Sequence, residues 1–72
     1  MSEPTRSYTL AEAFPMEQAR LRELIGQYKA IGPAGTFGAI MISDVLRRAE
    51  IVAAAHDTVG MLRLYEEMQE CE

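Results

Sequence analysis

The sequence predicts an all-α fold of three helices. Apolar residues recur at the three- to four-residue spacing of an amphipathic helix in three consecutive segments. Thr9, Thr36 and Asp57 stand where these segments begin, and their side chains are of the type that caps helix N-termini. Gly32 and His56 stand where the first two segments end. Because the linking segments are short, we expect successive helices to pack side by side and antiparallel.

The first main helix is predicted to begin at Pro15 and to end at Ile31. Thr9 and Glu12 have the spacing of a capping box, which predicts one short turn over residues 10–14. Pro15 has no N–H and its ring clashes with the preceding turn, so we expect the helix to start again there. Gly32 and the proline after it terminate the helix. The apolar stripe consists of Leu21, Leu24, Ile25, Tyr28 and Ile31.

The second and third helices are predicted to form an antiparallel hairpin, over about 37–55 and 58–69, packed on the main N-terminal helix at 15–31. Thr36 is the expected N-cap of the second helix and Asp57 of the third. The core-facing side of the second helix consists of Gly38, Met41, Ile42, Val45, Leu46, Ala49, Val52 and Ala53. Phe37, Ile40 and Ile51 lie on its opposite side, which predicts that this helix is contacted from two directions.

Length and composition exclude several classes of protein. A chain of 72 residues holds one small domain, which we place at 9–72 behind a flexible polar arm at 1–8. The net charge of −4 argues against nucleic-acid binding, and no apolar run is long enough to span a membrane. A single cysteine and the lack of a signal-peptide pattern predict a cytoplasmic protein without disulfides. One histidine and one cysteine cannot form a structural zinc site.

No pair of side chains is spaced for acid–base or nucleophilic catalysis, so we expect neither an enzyme nor a cofactor or metal site. His56 beside Asp57 is best interpreted as a solvent-facing linker histidine next to a capping aspartate. Cys71 lies between Glu70 and Glu72, whose charge is expected to raise the thiol pKa. These side chains therefore favour a binding or structural role over chemistry.

The glycine-rich segment 32–38 has two interpretations. It could present backbone N–H groups at a helix N-terminus to a small anion, with Gly35, Thr36 and Gly38 as the binding turn. Alternatively it is a tight interhelical turn in which Gly38 lets two helices approach closely. The sequence favours the second interpretation, because neither a preceding strand nor a P-loop lysine is present.

Two sets of residues are candidates for contacts with other proteins. Residues 1–55 contain six acidic and six basic residues, so the whole net charge of −4 lies in 56–72. Glu66, Glu67 and Glu70 stand near the C-terminal end of the third helix, where the helix dipole disfavours them. They predict either a solvated acidic tail or a docking surface for a basic partner. Phe37, Ile40 and Ile51 predict a homodimer, unless the arm bearing Tyr8, Leu10 and Phe14 covers them.

Two segments resemble known families. Leu46–Ala49, continuing through Asp57 to Met61–Tyr65, is similar to the antiparallel helix pair of tetratricopeptide-type repeats, which implies a helical hairpin. Ile31–Ile42, followed by Asp57 and Met61–Tyr65, resembles small uncharacterised proteins encoded by tailed phages and prophages, over about 15–72. That resemblance implies an accessory protein made in a bacterial host, which binds and modulates a host protein. The alternatives are an assembly module of the phage and an oligomer that sequesters a small anionic ligand.

Overall fold

The computed structural model describes residues 8–72, and this part of the chain forms three helices without a strand. The helices are α1 (Leu10–Ile31), α2 (Pro33–Ala54) and α3 (Thr58–Glu70). The predicted all-α, three-helix fold is therefore confirmed. Apart from Tyr8, the predicted arm lies outside the described residues.

Helix α1 begins with the predicted capping box. The Thr9 hydroxyl accepts the Glu12 backbone N–H at 3.2 Å, and the Glu12 carboxylate accepts the Thr9 N–H at 3.0 Å. The prediction of a break at Pro15 is wrong, since α1 is one continuous helix with this proline inside it. The neighbouring Phe14 is fully buried in the core. Its burial holds the first turn in line with the rest of α1, at the cost of one backbone hydrogen bond.

Helix α2 begins four residues earlier than predicted. Gly32 is its N-cap and Pro33 its first residue, a position for which proline has a suitable φ angle. The predicted N-cap, Thr36, lies inside the helix instead, and its hydroxyl donates to the Gly32 carbonyl at 3.5 Å. The segment interpreted as a turn is thus the first turn of α2, and a single residue separates α1 from α2.

The corner between α1 and α2 depends on glycines. Gly32 has φ +96° and ψ −152°, a conformation that is open essentially only to glycine. A Cβ atom at Gly35 would lie 1.9 Å from the carbonyl oxygen of Tyr28. A Cβ atom at Gly38 would lie 2.7 Å from the ring of the same tyrosine. Gly38 thus allows the predicted close approach of two helices, although residues 33–38 are helical rather than an interhelical turn.

Helix α3 is held at both ends by hydrogen bonds. The Asp57 carboxylate accepts the Gly60 N–H at 3.0 Å, as predicted for an N-cap. At the other end Arg20 of α1 donates to the carbonyls of Met68 at 2.5 Å and Cys71 at 3.0 Å. The Tyr28 hydroxyl also donates to the Glu72 carbonyl. A cation from α1 therefore meets the negative end of the α3 dipole.

All three helices contribute to one core, which consists of Phe14, Leu21, Ile42, Leu46, Ala49, Leu64 and Met68. The Cα atoms extend over 41 × 35 × 14 Å, with a radius of gyration of 13.6 Å. A compact chain of this length would have a radius of gyration of about 11 Å. The three helices thus form a flat layer, and a large part of the apolar surface stays outside the core.

Candidate protein-binding surface

The outward side of α2 carries a row of exposed residues that we call the outer stripe: Phe37, Ile40, Asp44, Arg47, Ile51 and Ala54. Their spacing of three and four residues places them along one side of the helix. Phe37 is 72% exposed, Ile40 61% and Ile51 56%. These three apolar residues were predicted from the sequence to contact a partner, and the structure brings them onto one surface. No other helix of the described chain covers them.

Two of the three apolar residues that could have covered the outer stripe, Leu10 and Phe14, pack elsewhere. Phe14 belongs to the core, and Leu10 is half-buried against the same core. Tyr8, the first described residue, is itself half-exposed. Leu10 and Phe14 thus contribute to the packing of the three helices.

Met41 and Ile31 are exposed as well, at 54% and 62%, although both were predicted to face the core. For Met41 the reason is the short length of α3. Arg48 of α2 pairs with Glu67, only three residues before α3 ends. In this antiparallel pair Met41, two turns before Arg48, extends past the end of α3. The first three turns of α2 therefore expose apolar side chains on more than one side.

A network of charges crosses the middle of α2. Asp44 accepts hydrogen bonds from Arg47 at 2.7 Å and from Arg48 at 3.0 Å. The Arg47 hydrogen bond, followed by that of Arg48, lowers the pKa of Asp44. Arg48 also bonds Glu67 of α3, and this bond is the largest of the effects that raise the Arg48 pKa. Arg48 is thus held in place by its bond to α3. Arg47 points outward on the stripe, and its side chain is 64% exposed.

A shallow groove of about 610 Å³ runs along the α1 side of the outer stripe. Ala39 and Ile40 give it an apolar floor, and Ser43 and Arg47 line it from α2. Lys29 lines it from α1 and forms no ion pair with any described residue. The groove therefore combines an apolar contact area with a cation that has no ion pair among residues 8–72.

The acidic residues of α3 have different environments. Glu67 is engaged by Arg48, whereas Glu66 and Glu70 are exposed and pair with no cation in the described part of the chain. The dipole penalty expected from the sequence is offset within the chain, because Arg20 binds the last carbonyls of α3. Glu66 and Glu70 remain available to a partner, while Glu67 serves the contact between α2 and α3.

The candidate anion-binding turn, Gly35, Thr36 and Gly38, is occupied by contacts within the chain. Pro33 has no N–H, and the N–H of Gly35 donates to the Gly32 carbonyl at 2.9 Å. Gly35 is buried against α1, and Gly38 faces the Tyr28 ring. Helix packing thus explains both glycines without a ligand.

His56 lies in an exposed link, as predicted, and Cys71 packs at the edge of the core. His56 is exposed, with a φ of +54°, in the link that precedes the Asp57 cap. Burial raises the pKa of the Cys71 thiol, and Glu67 and Glu70 add to this effect while Arg20 opposes it. The direction agrees with the sequence prediction, but burial rather than charge is the main cause.

Residues 8–72 contain no cluster of three or more histidine, cysteine, aspartate or glutamate side chains that could hold a metal ion. Their helices include none with the length and apolar character that a membrane span requires. No family model, no curated protein and no solved structure matches the chain. A proposal about function therefore rests on the exposed residues described above.

Sequence reasoning missed four residues of this surface: Asp44, Arg47, Met41 and Lys29. The spacing of Asp44 and Arg47 between Ile40 and Ile51 was a usable signal, since the four residues continue one row. The exposure of Met41 depends on where α3 ends relative to α2, and the position of Lys29 depends on how α1 crosses α2. Neither the end of α3 relative to α2 nor the crossing of α1 and α2 can be predicted from a local sequence pattern.

Proposed function

We propose that this protein is a non-enzymatic protein-binding module whose contact surface is the outer stripe of α2. The observation that carries the proposal is the exposure of Phe37, Ile40 and Ile51 along one row. Large apolar side chains exposed together on the surface of a small protein are typical of sites for protein contacts. The aromatic and branched side chains here are of the kind that anchor such contacts.

The flat arrangement of the helices supports the same proposal. A chain this short buries only about 60% of its unfolded surface even when it is compact. This molecule is more extended than a compact chain, so its core is correspondingly small. A partner bound to the outer stripe would bury the apolar side chains on the second side of α2. The resemblance to phage-encoded proteins favours an accessory role in which a host protein is bound and modulated.

The outer stripe can be tested by capture of partners in cells with a photo-reactive group at Thr36, beside the stripe. We expect Ile40→Asp to abolish the cross-linked products, since a charge buried in an apolar contact is strongly unfavourable. Met16→Asp is the matched control, because Met16 is exposed to a similar extent on α1. Both variants should retain the circular dichroism of the parent. Equal cross-linking by Ile40→Asp and the parent would refute the proposal.

A second candidate contact is the acidic end of α3, because Glu66 and Glu70 are exposed without ion pairs in the described chain. This surface fits a partner with a basic patch, whose capture should weaken as salt rises. Glu66→Lys combined with Glu70→Lys should leave the fold intact and abolish capture. Glu23→Lys, on the exposed side of α1, is the charge control. If the double variant captures the same partner with the same salt dependence, Glu66 and Glu70 do not bind a partner and are only a solvated surface.

A further inference from the structure

The outer stripe has the periodicity of a coiled-coil seam. Its residues, Phe37, Ile40, Asp44, Arg47, Ile51 and Ala54, are separated alternately by three and four positions, as a and d residues are in heptads. All of them are exposed on one uninterrupted helix. A helix with such a row packs against a second helix that lies nearly parallel or antiparallel to it. The spacing of the outer stripe thus suits packing against another helix.

We propose that the second helix is α2 of another copy of this chain, running antiparallel across a two-fold axis between Asp44 and Arg47. The proposal rests on the function proposed above and names the partner of that surface. In this register Asp44 lies opposite the partner's Arg47, and Ile40 opposite the partner's Ile51. Phe37 lies opposite the partner's Ala54, so that the largest side chain meets the smallest. Each pairing occurs twice, as a symmetric interface requires.

The charges decide the direction of the two helices. In an antiparallel pair both central contacts join a carboxylate to a guanidinium. In a parallel pair Asp44 would face the partner's Asp44, and Arg47 the partner's Arg47, and such like-charge contacts are unfavourable. Within one copy Arg47 and Arg48 both bind Asp44, so Arg47 can turn to the partner's Asp44 while Arg48 stays in place.

The flanks of the seam also fit the antiparallel arrangement. Ser43 and Glu50 border the stripe on the α1 side, where Arg22 of the same chain pairs with Glu50 at 3.6 Å. The register places Ser43 next to the partner's Glu50, which can accept a second cation. Lys29, unpaired among the described residues, lines the groove beside Ser43. It would therefore approach a carboxylate of the partner. The seam spans only about 25 Å, so we expect a reversible equilibrium between monomer and dimer.

Sedimentation equilibrium of charge variants tests the register. Asp44→Arg alone and Arg47→Asp alone should each weaken self-association at least about tenfold, because each creates like-charge contacts across the seam. An equimolar mixture of the two variants should regain the association of the parent, and so should the double variant. In a parallel pair each single variant would have as many like-charge contacts as the parent, so single variants that self-associate as tightly as the parent would overturn the proposal.

Disulfide trapping provides an independent measurement. In a Cys71→Ser background, Ile40→Cys and Ile51→Cys should form a mixed disulfide when the two variants are combined and oxidised. Neither should cross-link efficiently to itself. Efficient self-cross-linking of both would contradict the antiparallel register.

The parent protein distinguishes failure of this inference from failure of the proposed function. If the parent stays monomeric at all concentrations while Ile40→Asp abolishes capture of another protein, the dimer is wrong and the binding surface stands. If the parent dimerises but Ile40→Asp changes neither self-association nor capture, both proposals are overturned. Loss of self-association in Ile40→Asp, with no loss in Met16→Asp, supports the dimer.

Discussion

The two corners of this chain reverse its direction by different means. At Gly32 no side chain caps α2, and the helices meet because Gly35 and Gly38 lack side chains where α1 passes. Between α2 and α3, residues 55–57 are held by hydrogen bonds. The N–H groups of Ala55, His56 and Asp57 donate to carbonyls of the last turns of α2 at 3.0–3.1 Å. Asp57 then caps α3.

This difference predicts how each corner tolerates substitution. A corner made by close approach has no room for an added atom, so a single methyl group forces the helices apart. A corner made by hydrogen bonds loses stability gradually, one bond at a time. Substitutions at the Gly32 corner should therefore have larger effects than substitutions of the polar residues at 55–57.

The largest effect is expected for Gly35→Ala. Its Cβ atom would lie 1.9 Å from the Tyr28 carbonyl oxygen, which cannot move without displacing α1. We expect the free energy of unfolding to fall by at least ~3 kcal/mol, measured by urea denaturation. Gly26→Ala is the matched control, because nothing lies within 4 Å of a Cβ atom there. It should raise the stability of α1 by up to ~1 kcal/mol, so equal effects of the two variants would contradict this account of the corner.

A smaller loss is expected for Asp57→Ala at the other corner. This variant removes the acceptor of the Gly60 N–H and should lower the free energy of unfolding by about 1 kcal/mol. Asp57→Ser keeps a capping oxygen and should retain most of the stability. If both variants destabilise the protein equally, the capping bond is not what holds this corner.

The smallest effect should have the opposite sign. His56 has a φ of +54°, in the left-handed region that glycine adopts at little cost. His56→Gly should therefore raise the free energy of unfolding, by about 0.5–1 kcal/mol. Thermal denaturation monitored by circular dichroism would detect the shift. A decrease would mean that the imidazole makes a stabilising contact in this link.

Local signals were enough to predict much of the fold. The capping box at Thr9, the cap at Asp57 and the end of α3 near Gln69 follow from residue types at fixed spacing. Two boundaries were wrong because local rules competed with tertiary packing. Pro15 was expected to interrupt α1, but the adjacent Phe14 is anchored in the core. Thr36 was expected to cap α2, but the start of the helix is set by Gly32 and Pro33.

The candidate surface was predictable to a smaller extent. The exposure of Phe37, Ile40 and Ile51 followed from their side of the helix relative to the core residues. The bond between Arg48 and Glu67 could not be predicted, because it depends on the alignment of two helices. The same applies to Arg20, whose partners at the end of α3 are 48 and 51 residues away in the sequence.

The long-range contact of Arg20 has a consequence for the order in which the chain folds. The pairing of α1 with α2 across one residue closes a short loop, so this hairpin can form early and quickly. Docking of α3 must then bring Met68 and Cys71 back to Arg20. Helix α3 is thus expected to detach before the α1–α2 pair opens, and its amide hydrogens should exchange first. The partly buried Cys71 thiol would report the same event, because it becomes open to alkylating reagents whenever the end of α3 leaves Arg20.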